Sequence, residues 1–199
     1  MKKEKLENLG EISLGDFLAR IKNKSGKEKE EINVFTINDL NFELGDKEEK
    51  ELERKIQIVD KGRFNSESLS KENNVVVGLT INKACSISKN NVGKIITSNF
   101  AIIKFDEEKV DSNYFIWYFN EHPSIKKYLR LISQGSALVS AISIGMLRDI
   151  EIELPEIEIQ RIIGKIYKLR IEKIKLNKQK EELEAKLQNQ IILNQMEEK

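Results

Sequence analysis

Histidine and cysteine, two residue types common in catalytic and metal sites, occur only once each in this sequence. His122 is the single histidine and precedes a proline, so a histidine-based triad or metal cluster has no second member, and a surface or capping role is favoured. Cys85 is the single cysteine, which favours a small buried side chain over a zinc ligand or a disulfide. The run Glu107-Glu108-Lys109 has the acid-x-lysine spacing of metal-dependent nucleases but lacks an upstream acidic residue at strand spacing, so a solvated turn is favoured. The sequence also has no glycine-rich phosphate loop, and it predicts a binding protein with no catalytic residues, metal ligands or cofactor of its own.

Length and composition set limits on the class of protein. With 199 residues, 39% of them hydrophobic and 34% charged, the chain suits one globular domain with an appendage and is too apolar for a disordered protein. No apolar run approaches the length of a membrane span, and the lysine-rich N-terminus lacks the apolar stretch of a secretory signal. We therefore expect a cytoplasmic protein with no membrane partner.

The distribution of charge is more informative than the formal net charge of +1. Residues 55–104 hold eight bases against three acids, and residues 161–180 hold eight bases against the single acid Glu172. Two basic stretches in a neutral protein are either electrostatic footprints for a polyanion or simply two solvated faces. Charge alone leaves both interpretations open.

The first 154 residues read as a mixed α/β domain, which we call the head. Residues 1–23 predict a start strand or turn followed by a short helix, whose apolar residues recur at helical spacing over 12–21, and alternating patterns over 32–44, 56–58, 75–81, 100–105 and 150–154 predict strands. Helices are predicted over 111–120, with Asp111 or Ser112 as N-cap, and over 124–132, and a short helix or turn is predicted over 143–149. Strands interspersed with helices in this way favour a mixed α/β fold.

Pro155 marks a boundary, after which the chain contains no further proline and only one glycine, Gly164. Residues 155–199 therefore predict one helix of about 44 residues and roughly 65 Å. Spacings of three and four residues define a heptad stripe with polar interruptions, which is typical of a coiled coil. A helix this long cannot fold back onto the head along its whole length, so we expect it to pair with another helix. The apolar members of the stripe, called here the apolar stripe, are Ile162, Ile166, Leu169, Leu176, Leu183 and Leu187.

The order of these elements resembles the specificity subunits of type I restriction–modification systems. The opening LGEISLGDFLARI, the strand segment KENNVVVGLTINKACSIS and the segment ITSNFAIIKFDEEKVDSNYFIWYFNE each have counterparts in that family. The most specific match is ISQGSALVSAISIGMLRDIEIELPEIEIQRII, which contains a Gly-Ser loop and an Ile-x-Leu-Pro-x-x-x-x-Gln junction between a strand and the spacer helix. The matching positions are Gly135, Ser136, Leu154, Pro155, Gln160 and Ile163. The resemblance covers essentially the whole chain, but members of the family usually carry two recognition domains and two helices, so this chain resembles a half-size subunit.

The resemblance implies a prokaryotic, sequence-specific DNA-binding protein that acts as a homodimer. Two long helices in an antiparallel coiled coil would place two recognition domains at opposite ends of a spacer, reading a bipartite palindromic site on double-stranded DNA. We expect lysines to contact phosphates, Asn or Gln to read adenine and Arg63 to read guanine. The candidate DNA-binding residues come from the basic 55–104 stretch and the Gly135 loop: Lys61, Arg63, Lys83, Lys89, Asn90, Asn91, Lys94, Gln134 and Ser136.

The resemblance also implies partner proteins. A DNA methyltransferase subunit, and a restriction and translocase subunit, would assemble on this scaffold and supply the S-adenosylmethionine and ATP chemistry that the chain itself lacks. The basic run 161–180 would either dock the methyltransferase subunit, which we favour, or face DNA phosphates. Two alternatives stay open: a recognition subunit of another bipartite restriction system, and a coiled-coil adaptor whose head binds protein instead of DNA. An enzyme is the weakest alternative.

Overall fold

The computed structural model of the chain describes residues 2–21, 29–46, 55–60, 64–134 and 141–197. The strands are β1 (Lys2–Lys5), β2 (Gly10–Leu14), β3 (Lys29–Asn33), β4 (Ile56–Asp60), β5 (Val75–Gly78), β6 (Lys83–Ser86), β7 (Phe100–Phe105) and β8 (Glu151–Leu154). The helices are α1 (Leu18–Ile21), α2 (Ile37–Glu43), α3 (Ser112–Glu121), α4 (Pro123–Gln134), α5 (Ile144–Arg148) and α6 (Ile157–Glu197). The predicted mixed α/β head followed by one long C-terminal helix is confirmed.

A four-stranded antiparallel sheet in the order β2-β7-β5-β6 forms the centre of the head. Side chains of β5 alternate between its two faces, which is why its run of β-branched residues is buried on both sides. Val75 and Val77 pack with the aromatic face of α3, whereas Val76 packs in a second cluster with Leu40 of α2. Two further antiparallel pairs, β1 with β8 and β3 with β4, flank this sheet.

Two predictions of local structure are wrong. The alternating residues of 32–44 include a helix, α2, because Thr36 and Asp39 form a reciprocal capping box that starts a helical turn immediately after β3. The predicted helix over 12–21 is shortened to α1, since Gly10–Leu14 instead pair with β7 as strand β2. In both cases tertiary pairing and capping override the apolar spacing.

Several other predictions are confirmed. Asp111 is the N-cap of α3, accepting a hydrogen bond from the Tyr114 backbone N–H at 2.8 Å. His122 is the C-cap residue of α3 and its ring stacks on Tyr118, with ring centroids 4.2 Å apart. Cys85 is buried in the sheet, and burial raises the pKa of its thiol well above the usual range.

The long helix α6 spans 41 residues, which corresponds to about 61 Å. Its first turns belong to the core of the head, since Gln160 and Tyr167 are buried and Ile163 and Ile171 pack against the same cluster as α3. Every residue from 183 to 196 is exposed, so the second half of the helix projects beyond the head. None of the helices among the described residues is both long enough and apolar enough to cross a membrane.

Gln160 fastens the start of α6 to the head. Its side-chain oxygen accepts a hydrogen bond from the Asp111 backbone N–H at 3.2 Å, and its amide nitrogen donates to the carbonyls of Lys109 at 3.2 Å and Pro155 at 2.9 Å. One turn later, Gly164 allows close contact with the start of α3, because a Cβ at this position would lie 2.3 Å from Asp111 Oδ1 and 2.8 Å from the Tyr114 nitrogen. The angle between the long helix α6, called here the rod, and the head is therefore set by residues at the N-terminus of α3.

The contact at Gly164 predicts an unusual response to a glycine-to-alanine substitution in a helix. Alanine normally stabilises a helix interior, but Gly164→Ala should lower the free energy of unfolding by about 1–3 kcal/mol because its methyl group collides with backbone. Gly145→Ala in α5 is the matched control, since a Cβ there would lie 3.8 Å from Ser143 Oγ, an ordinary contact, and the substitution should be neutral or stabilising. Chemical denaturation of both variants tests this, and a Gly164→Ala protein as stable as the native one would contradict the close contact.

Candidate nucleic-acid interface

The exposed candidates for DNA contact lie on a tight turn that follows β6. Residues Lys89–Asn91 form a 3₁₀ turn, and it is anchored from below by the carboxylate of Glu43 in α2. Glu43 Oε1 accepts hydrogen bonds from the Ser88 backbone N–H at 2.9 Å, from Ser88 Oγ at 2.8 Å and from Asn91 Nδ2 at 2.7 Å. This arrangement, called here the 88–91 turn, leaves Lys89 and Asn90 exposed at its tip.

Two of the predicted DNA-binding residues have partners inside the head. The Asn91 side chain is fully buried and donates to Glu43, so contact with a base would require the side chain to leave that network. Lys94 is largely buried and its ammonium lies 2.7 Å from Asp39 Oδ1, whose side chain is 1% exposed. These positions give both residues a structural role. No sequence signal indicates it, because the partners are 48 and 55 residues away along the chain.

The other candidates are distributed as follows. Lys83 begins β6, where its ammonium lies 2.8 Å from Asp46 Oδ2 in a pair that is about half exposed. Gln134 is the last residue of α4. Lys61, Arg63 and Ser136 lie outside the described residues.

A groove of about 880 Å³ separates the 88–91 turn from helix α6. Its basic lining combines Lys89 from the turn with Arg161, Lys168, Lys175 and Lys178 from the helix. Six acidic residues also line it: Glu43, which is held in the network beneath the turn, Asp111, which caps α3, and Glu72, Glu107, Glu172 and Glu182. The two basic stretches of the sequence thus meet across one groove, although its lining is mixed in charge.

The apolar stripe of α6 lies on the side of the helix away from the head. All six of its predicted members are exposed, with exposed fractions between 53% and 64%. Ile159 and Ile191 extend the stripe in both directions, and Ile192, Leu193 and Met196 make the end of the helix apolar around most of its circumference. An exposed apolar surface of this length marks an interaction site.

The acidic residues of the described region form neither a metal site nor a buried cluster at Glu107 and Glu108. No group of three or more His, Cys, Asp or Glu residues within those ranges is placed to hold a metal ion. Glu107 and Glu108 lie in an exposed turn, where the Glu108 N–H donates to Asp106 Oδ1 at 3.2 Å. This confirms the solvated turn predicted for that run.

Comparison with known proteins shows which solved structures have a similar fold. No family model matches the sequence, and no curated protein matches it either. Among solved structures, the chain is similar to the HsdS subunit from Thermoanaerobacter tengcongensis, with a TM-score of 0.53 and 17% identity over 97% of this chain and 44% of that one. A structure described as the basis of complex assembly and conformational transition of the type I restriction–modification system matches with a TM-score of 0.56 and 17% identity, over 97% of this chain and 44% of that one. The specificity subunit of a type I restriction–modification system from M. genitalium matches with a TM-score of 0.53 and 13% identity, over 92% of this chain and 42% of that one.

These similarities confirm the resemblance to type I specificity subunits at the level of the fold. They extend over nearly the whole chain, including both the head and the long helix. The chain spans less than half the length of each of these solved structures. This extent agrees with the half-size subunit that the sequence predicts.

The buried pair of Asp39 and Lys94 generates a prediction about stability. Lys94→Met leaves the Asp39 carboxylate buried without its cation and should lower the free energy of unfolding by about 3–5 kcal/mol. Lys83→Met is the matched control, because removing a lysine from an exposed ion pair should change stability by less than about 1 kcal/mol. Urea denaturation compares the two variants. Equal stability of both would contradict a structural role for Lys94.

Proposed function

We propose that this chain is a half-size DNA-recognition subunit of a type I restriction–modification system. The observation that carries the proposal is the fold match over 97% of the chain to HsdS subunits more than twice as long. In this proposal two copies together supply the two heads and two helices of a full-length subunit, which has no catalytic role of its own.

The apolar stripe supports a homodimer. Helix α6 has two apolar faces, and the head covers only the one that contains Tyr167. A second copy of the same helix offers a stripe with matching heptad spacing, and a two-fold axis would bring the two identical surfaces together. Pairing would remove the exposed isoleucines and leucines from water over several heptads, and this burial would contribute strongly to the free energy of association.

Charge along the helix supports an antiparallel arrangement. Residues 161–180 carry a local charge of +7, whereas residues 181–197 carry four acids and one base, a local charge of −3. Antiparallel pairing sets each basic half beside an acidic half, and parallel pairing sets the two basic halves side by side. The antiparallel dimer also separates the two heads to opposite ends of the rod.

The heads would read DNA through the 88–91 turn. Asn90 carries the amide suited to adenine, and Lys89 with Arg161 and Lys168 across the groove would contact phosphates and set the register of the duplex. Two heads related by a two-fold axis read identical half-sites in inverted orientation, so the target would be a bipartite palindrome with an unread gap set by the length of the coiled coil.

The remaining parts of the proposal concern assembly and cellular place. In a type I system a methyltransferase subunit and a restriction and translocase subunit would supply S-adenosylmethionine and ATP chemistry, and this chain would act as their scaffold in the cytoplasm. Basic residues of α6 that do not line the groove, such as Lys165, remain exposed for subunit docking. A recognition subunit of another bipartite restriction system would use the same surfaces and differ in the subunits that co-purify.

The dimer is tested by charge placed in the apolar stripe. The native chain should elute with about twice its 23.0 kDa mass in size-exclusion chromatography with light scattering at micromolar concentration. Leu169→Glu combined with Leu176→Glu should give a monomer, because four carboxylates would face an apolar seam. Leu131→Glu changes an equally exposed leucine of α4 and should leave the dimer intact. A native monomer, or a dimer that survives both stripe substitutions, would rule out this pairing.

DNA binding is tested by reversing charges across the groove. The native protein should bind random-sequence duplex at low salt, with an affinity that falls steeply as salt rises. Lys89→Glu combined with Lys168→Glu should weaken binding and make its salt dependence shallower by about one unit of slope for each lost phosphate contact. Lys127→Glu combined with Arg130→Glu, at two exposed positions of α4 outside the groove, makes the same change in net charge and is the control. Absence of salt-sensitive binding by the native protein would favour the adaptor alternative.

A further inference from the structure

The carboxylate of Glu43 connects two parts of the molecule that the proposed function uses separately. Its side chain is 2% exposed. One oxygen, Oε1, accepts all three hydrogen bonds from Ser88 and Asn91 that hold the 88–91 turn. The other oxygen, Oε2, lies 3.5 Å from the ammonium of Lys175 on α6. A single buried anion is thus shared between the turn and the long helix.

Helix α6 is seated firmly at this point. The Lys175 ammonium lies 4.6 Å from the centre of the Phe42 ring, so the lysine contacts two successive residues at the end of α2. Gly45 follows α2 with a φ of +78°, and a Cβ there would lie 3.1 Å from Ile174 Cγ2 and 3.4 Å from Lys175 Cγ. The chain therefore approaches α6 closely where the ion pair forms, and the lysine stem is confined by packing as well as by charge.

We propose that Glu43 and Lys175 are positioning residues that couple the long helix to the DNA-reading turn. A buried carboxylate is costly without a cation, and Lys175 is the basic group that meets Glu43 Oε2. Loss of Lys175 would leave the buried carboxylate without its cation and favour its movement toward water, and the three hydrogen bonds to the turn would weaken with it. Lys89 and Asn90 would then lose their fixed orientation although neither has been changed. This coupling rests on the proposed function for its consequence in DNA reading, but the link between helix and turn exists without DNA.

The experiment compares four variants of the full-length protein. Lys175→Met removes the cation and keeps the length of the stem, and Glu43→Gln removes the charge and keeps an oxygen that can accept from Ser88. The combination of both removes the charges together. Lys168→Met, in the same groove and with the same loss of charge, is the matched control. Thermal unfolding monitored by circular dichroism establishes that each variant is folded.

The first measurement is amide hydrogen exchange in the segment 86–92 without DNA. Lys175→Met should accelerate exchange of the Ser88 amide by about tenfold or more, the factor expected when a hydrogen bond to a charged group is lost. Lys168→Met should leave the exchange rate at its native value. The combination of Lys175→Met with Glu43→Gln should restore protection, because no unpaired charge remains beneath the turn. A merely general loss of stability would not be rescued by the second substitution.

The second measurement is enrichment of preferred sequences from a random duplex library. Lys175→Met should lower the enrichment of the native preferred sequence. Lys168→Met should instead weaken binding to all sequences alike, because it removes a phosphate contact. Native exchange and native enrichment in Lys175→Met would overturn the coupling. If the native protein enriches no sequence, the proposed function falls, and the exchange comparison alone decides whether helix and turn are coupled.

Discussion

Helix α6 has two apolar faces, and the head covers only one of them. The covered face holds Gln160, Gly164 and Tyr167, whose contacts with α3 fix the direction in which the helix leaves the head. The opposite face presents the apolar stripe to solvent along most of the length of the helix. Because the helix is packed on the head along one face and apolar on the other, any partner that binds the stripe is held at a fixed angle to the head.

The geometry of the head follows from the same attachment. The central sheet and α3 form the body onto which α6 packs, and α2 lies on the opposite face of the sheet. The end of α2 nevertheless contacts α6 through Glu43, and Gly45, just after α2, also lies close to it. The long helix therefore contacts the head at two separate places. The 88–91 turn lies beside the groove and is connected to the long helix through the carboxylate of Glu43. The proposed reading surface is therefore held in place partly by its connection to α6.

The sequence predicts the elements of this architecture better than their contacts. The long helix, the stripe, the N-cap at Asp111 and strand β7 follow from local patterns that depend only on nearby residues. Alternating apolar residues in the segment of α2 indicate a strand instead of a helix. The capping box that starts this helix at Thr36 also carries Asp instead of the Glu or Gln that usually signals the motif. The roles of Asn91 and Lys94 depend on acids about fifty residues away, and a single sequence contains no signal for such pairings. For this reason the candidate DNA-binding residues from the basic stretch 55–104 include both exposed side chains and side chains with a structural role.

The proposed antiparallel pairing of two copies of α6 through the stripe is tested directly by a spin label at Lys186→Cys. Position 186 is exposed, and the native Cys85 is buried and should not react. If the stripe from Ile162 to Leu187 pairs with itself about its midpoint, the two labels of an antiparallel dimer should be about 35 Å apart along the axis, as 1.5 Å per residue requires. A parallel dimer would place them at about the separation of the two helix axes, near 10 Å. The distance is measured by pulsed electron–electron double resonance. The long distance would support the antiparallel dimer, and a short distance or no coupling between labels would contradict it.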